Sequence, residues 1–185
     1  MVEFIRKFSG WEECDRISLP HLARLLRINQ DLGFQDLRKH ANSLMSSWIS
    51  GDVIALDRDP SSEDITSLWP REDNRLLPLA NVKLESLQHV HLFYNHRNSL
   101  IHEFRMLGML GGAPDWSRSE PYYSTLLLAE EDAESERWEL QYPIEFYQRI
   151  TRHAIQSLEG YLIQNSIDPI SFYISGSYWV DYLND

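Results

Sequence analysis

Apolar residues recur at three- and four-residue intervals through four stretches of this chain, and that period commits most of it to helix. The first stretch follows Ser18-Leu19-Pro20, where serine is placed to cap and proline to occupy the first turn. Leu22, Leu25, Leu26 and Ile28 carry its stripe to about Gln30. The second runs from Phe34 to Ser50, with Leu37, Ala41, Leu44, Met45 and Trp48 on one side and Gly51 placed to end it. The third, capped by Asn81, extends from Val82 to about Leu107, ahead of Gly108 and Gly111-Gly112-Ala113-Pro114. The fourth covers Ile144 to Asn165, with Ile144, Tyr147, Ile150, Ile155, Leu158 and Leu162 available for packing. Shorter helices are expected at the capping-box pattern Ser9-Gly10-Trp11-Glu12 and from Ser62 through Leu68.

Strand patterning is confined to Tyr122–Ala129 and Arg137–Tyr142, which flank the acidic run Glu130 to Glu136 and read as a hairpin occupying about 121–142. Residues 52–80 are broken by Asp57-Arg58-Asp59-Pro60, Pro70 and Pro78, and are expected to pack against the body of the protein. The expected fold is therefore all-α in the main: one domain over 1–185, a bundle of four to five helices with an inserted β-hairpin. An aromatic tail at about 166–185 carries Phe172, Tyr173, Tyr178, Trp179 and Tyr182.

Charge narrows the function classes. The net charge of −11 argues against a protein that coats nucleic acid with a broad basic face, so any nucleic-acid chemistry must be local. Among the cations, 14 are Arg and 3 are Lys, which favours bidentate contacts with carboxylate or phosphate. Cys14 is the single cysteine, so no intrachain disulfide forms, and a buried structural thiol is its expected state. The first ten residues lack an apolar secretory core, and no apolar run approaches the roughly 18 residues of a membrane span. A cytoplasmic protein with no membrane partner is expected.

Concentrated chemistry falls on the third helix, about 82–107. His91, Asn95, Asn98, His102 and Arg105 follow steps of four, three, four and three, and so share one face. Solvated helix faces are usually Glu, Lys and Arg. This one is composed of groups that donate, accept and exchange protons near neutrality. Arg97 instead projects among Val90, Phe93, Tyr94, Leu100, Ile101, Phe104 and Leu107. Its guanidinium must bend around the helix to a polar edge, or the helix must break near Tyr94-Asn95-His96.

Arg97, the polar Asn98, three further residues and His102 resemble the R-x4-6-H motif of the HEPN superfamily. That resemblance implies a HEPN-like helical bundle and a metal-independent endoribonuclease, needing no cofactor, in which two copies of the motif face each other across a homodimer. It implies an RNA substrate, a role as a toxin or antiviral defence effector, and an antitoxin or regulatory protein as partner. It implies Arg97, Asn98 and His102 as catalytic residues, with His91, Asn95 and Arg105 as supporting or RNA-binding groups. Family toxins silenced by a nucleotidyltransferase carry a tyrosine two residues after the histidine; Phe104 holds that position here.

Other readings of the same residues are plainer. Arg97 and His102 serve a structural ion pair in one, and His91, His96 and Arg105 are bystanders. Another makes the chain a catalytically inactive HEPN-like module for dimerisation or for binding a protein or nucleotide. Arg16 and His21 share the motif spacing, but Ile17 follows the arginine and Pro20 intervenes. A zinc site is not expected: His89 and His91 are two apart, and Met106 stands where His102-Glu103 would need a second histidine.

Overall fold

In the computed structural model, which describes residues 1–29, 31–102, 118–126 and 137–172, the helical period is realised as six α-helices among the described residues. They are α1 (Val2–Phe8), α2 (Leu19–Ile28), α3 (Gln35–Met45), α4 (Ser62–Leu68), α5 (His89–His102) and α6 (Ile144–Gln164). Strands are short: β1 (Ile54–Ala55), β2 (Arg71–Glu72), β3 (Arg75–Leu76), β4 (Tyr122–Leu126) and β5 (Arg137–Gln141). The protein is thus mainly helical, with two small antiparallel sheets ordered β1-β4-β5 and β2-β3. The expected hairpin is present as β4 and β5, with Tyr122 opposite Gln141 and Leu126 opposite Arg137. Residues 127–136, including the acidic run, lie outside the described residues, as do Gln30, residues 103–117 and the tail from Tyr173.

Two hydrophobic clusters organise these elements. Leu19, Leu22 and Leu26 of α2 pack with Phe34, Leu37 and Ala41, and Ile65, Trp69 and Leu79 close the cluster from the 52–80 segment. That segment does pack on the body, as its length requires. The second cluster gathers Ile5, Trp11, Cys14, Leu56, Val90, Phe93, Tyr123, Phe146 and Ile150. On α6 the buried side chains are Phe146, Ile150 and Ala154, at four-residue steps along one face. Each large side chain removed from water in these clusters contributes about 1.5–3 kcal/mol. Trp48 packs against both clusters; its ring lies 5.3 Å from Tyr123 and 5.2 Å from Trp138.

Several boundaries differ from the sequence expectation for local reasons. The second helix ends at Met45, not Ser50. Ser46 and Ser47 there turn their hydroxyls onto the carbonyls of Ser43 and Leu44, competing with the helical amides. The third helix begins at His89, not Val82. Ala80 and Asn81 have φ of 50° and 63° in a two-residue turn closed by Leu79 and Val82, so Asn81 is a turn residue and not a cap. A 3₁₀ turn over Leu84–Leu87 follows, and Gln88 is extended before α5 starts. Asp73 and Asn74, with φ of 48° and 64°, close the β2–β3 hairpin in the same manner.

The expected capping box is not formed. Ser9 Oγ accepts a hydrogen bond from the backbone of Trp11, and the following Glu12–Asp15 turn is 3₁₀, with no side-chain cap. Helix α1, ahead of it, is an element the periodicity did not indicate, and it takes the helix count past the expected four to five. Gly10 links the two with φ +64°, and a Cβ there would meet Cε1 of His153 on α6 at 2.7 Å. Gly10→Ala is therefore expected to lower unfolding free energy by about 1–2 kcal/mol from the left-handed backbone alone, with the His153 contact adding to it. Urea denaturation checks this; a change below about 0.5 kcal/mol would show that Gly10 is not held in the left-handed region against His153.

Candidate functional site

Helix α5 is anchored at its N-terminus by a buried polar network. His89 Nε2 and Tyr123 Oη each lie 2.7 Å from Asp59 Oδ2, and Oδ1 of the same carboxylate accepts from the backbone of Leu19 at 2.9 Å. Asp59, His89, Ser18 and Tyr123 are all at most 1% exposed. Ser18 Oγ is 2.7 Å from Tyr123 Oη and 2.7 Å from Nδ1 of His21. The proton order follows from counting donors. Tyr123 gives its single hydroxyl proton to Asp59, so its oxygen accepts from Ser18, and Ser18 in turn accepts from His21. Arg16 adds a bond from Nη1 to the Asp59 carbonyl at 2.6 Å. Burial and the neighbouring Asp59 hold the Tyr123 phenol well above its ordinary range.

Along α5 the next fixed point is His96. It is buried, and its Nδ1 shares a 2.7 Å hydrogen bond with Tyr147 Oη of α6. Its ring lies 5.2 Å from Tyr142 and stacks at 6.4 Å on Tyr147, beside Phe93. Burial lowers the His96 pKa below its ordinary value and raises those of Tyr142 and Tyr147. His96 is thus a packing residue that holds the helix.

The motif residues come immediately after. Helix α5 is unbroken through Tyr94-Asn95-His96, so a break there is not how Arg97 escapes the apolar face. Arg97 is half-buried and bends instead: Nη1 donates to Asn98 Oδ1 at 3.2 Å. Asn98 and His91 are half-buried, Asn95 is exposed, and Ser99 is buried. His102 is the last described residue of α5, with its side chain outside the described set. Arg105, Glu103, Phe104 and Met106 lie outside the described residues.

Elsewhere, Cys14 is buried, and desolvation, helped by Asp15, pushes its thiol up to about 11, the state of an inert core cysteine. Among the described residues no three His, Cys, Asp or Glu side chains group as a metal site, and no helix is long and apolar enough to cross a membrane. An open apolar groove follows the C-terminal half of α6 between Ile155, Leu158, Leu162, Ile163, Ile167 and Pro169; Arg97 and Asn98 do not line it. No family model, curated protein or solved structure matches the chain.

The Asp59 network was not visible in the sequence. Arg16 and His21, set aside as a motif match, turn out to be two of its members. Removing its centre, as in Asp59→Ala, is expected to cost about 3–5 kcal/mol, because buried donors from His89 and Tyr123 are left without an acceptor. Tyr123→Phe is expected to cost about 1–2 kcal/mol. Denaturant titration tests both; equal losses would remove Asp59 from the centre.

His96 sets a pH dependence. Its folded pKa is below the unfolded value of 6.5, so the unfolded chain binds the proton more readily. Stability is full above about pH 6.5 and falls as pH drops through that value toward the folded pKa. His96→Gln retains an acceptor for Tyr147 without titrating, and is expected to flatten this part of the profile. Parallel slopes for the two proteins between pH 7 and 5 would refute the assignment.

Proposed function

We propose that this protein is a metal-independent endoribonuclease of the HEPN type, acting as a homodimer in which two copies of the α5 motif form one cleft. One observation carries the reading: Arg97 turns its guanidinium onto Asn98. On a helix Asn98 and His102 are four residues apart and share a face, whereas Arg97 starts about 140° away from His102. The bend delivers the arginine's charge to the face that His102 occupies, about 7.5 Å further along the axis.

The chemistry asked of these groups is within their reach. RNA brings its own nucleophile, the 2′-hydroxyl. His102 takes the proton from that hydroxyl or gives one to the leaving 5′-oxygen. Arg97 stabilises the added negative charge on the pentacoordinate phosphorus, and Asn98 orients the arginine or binds a phosphate oxygen. The products are a 2′,3′-cyclic phosphate and a 5′-hydroxyl. His91, Asn95 and Arg105 would extend the contact with RNA. Such an enzyme suits a toxin or antiviral defence effector restrained by an antitoxin or regulatory protein, in the cytoplasm. The net charge of −11 restricts it to local recognition of its RNA.

A second reading, a catalytically silent module for dimerisation or for protein or nucleotide binding, draws on the burial of His96 and Ser99 and the half-burial of Arg97, which make this stretch of α5 part of the core.

Incubation of the purified protein with total RNA in EDTA separates the two. Wild type is expected to leave 2′,3′-cyclic phosphate ends, and Arg97→Ala and His102→Ala to lose about 10²-fold or more in rate while remaining folded and dimeric. An inactive or stably monomeric wild type would overturn the enzyme reading and leave the module.

A further inference from the structure

Three buried polar atoms in and beside the second hydrophobic cluster have no hydrogen-bond partner among the described residues: Nε1 of Trp11, Nδ1 of His89 and the phenol oxygen of Tyr142. They gather around one ring. The Trp11 centroid lies 6.2 Å from that of His89 and 6.4 Å from that of Tyr142. Buried polar groups in folded proteins are as a rule satisfied by protein or by ordered water, and three orphans in one cluster point to a shared ligand.

The donor and acceptor pattern says which ligand. Trp11 Nε1 can only donate, so it needs an acceptor. His89 bonds Asp59 through Nε2, which leaves Nδ1 to meet a donor if it is bare or an acceptor if it carries a proton. The Tyr142 hydroxyl does either. An ammonium ion can only donate and has nothing for the indole, and a halide can only accept. Water has both, with one bond to spare for the phenol.

We infer that a single water molecule is held inside the protein between Trp11, His89 and Tyr142. It accepts from the Trp11 indole and shares hydrogen bonds with His89 Nδ1 and the Tyr142 phenol. It connects the polar network on Asp59 to the aromatic residues that pack α5 on α6. This site is independent of the proposed nuclease activity.

A high-resolution crystal structure of the whole chain tests the site. The expected result is one ordered water at hydrogen-bonding distance, about 2.7–3.2 Å, from at least two of the three atoms. In solution, the Trp11 indole proton should show a cross-relaxation peak with a long-lived water, weakened in Tyr142→Phe, where one anchor is gone. Should that variant fail to fold, Trp11→Phe serves instead: it removes the indole donor, and the crystal should show the water displaced toward His89 and Tyr142. A direct bond between any two of the three atoms, an ion in the place of water, or a dry contact with no indole–water peak would each overturn the inference.

Discussion

The start of α2, the strand β4 and the start of α5 are all tied to one carboxylate. Asp59 accepts from the backbone at the start of α2, from Tyr123 on β4 and from His89 at the start of α5, and its own carbonyl accepts from Arg16. A carboxylate buried without partners would be too costly to keep, and partners buried without the carboxylate would be nearly as costly. The network is therefore satisfied as a unit, and satisfying it sets α2, the sheet and α5 relative to one another. Hydrophobic packing supplies the bulk of the stabilisation but little direction. Here the direction comes from the 2.7–2.9 Å bonds to Asp59.

On α5 the consequence is a helix with two roles in sequence. His89, Val90, Phe93 and His96 face the interior and are fixed by Asp59, by the aromatic cluster and by Tyr147. One residue later Arg97 turns outward to Asn98. Rigid support beneath a polar group is what a site needs if its geometry is to be reproducible from molecule to molecule. The burial that reads as plain core in His96 is the means by which the segment after it is presented.

What was legible in the sequence was local. The bounds of α2, α4 and α6 follow from Pro20, from Ser62 ahead of an apolar run and from the apolar period after Ile144, although the cap of α4 is Ser61 and the buried face of α6 is Phe146, Ile150 and Ala154, with Ile144 and Ile155 exposed. The β4–β5 pairing follows from two strand-like runs on either side of an acidic stretch. Asn98 stood out for the same reason, since a helix face of unusual composition is visible within a dozen residues, and Arg97 stood out as a cation among apolar neighbours. Tertiary and turn effects were not legible. Ser46 and Ser47 end α3 through bonds to neighbouring carbonyls, and Asn81 looks like a cap until the positive φ of Ala80 places both in a turn. Ser18, Asp59, His89 and Tyr123 are ordinary polar residues one at a time. Their chemistry exists only where the fold assembles them, and β1, two residues long, has no period to detect.

The spacing of those four residues along the chain also has a kinetic meaning. Contacts between residues distant in sequence form late, because chain closure must precede them. As the polypeptide leaves the ribosome, Ser18, Asp59 and His89 emerge well before Tyr123 completes their hydrogen bonds. Until then the carboxylate is held in place by fewer partners, and the α2–α3 cluster is the part with most of its contacts already within reach. Of the four, Tyr123 is made last, so the network closes only once β4 has arrived, and β5 and α6 then complete the second cluster around it.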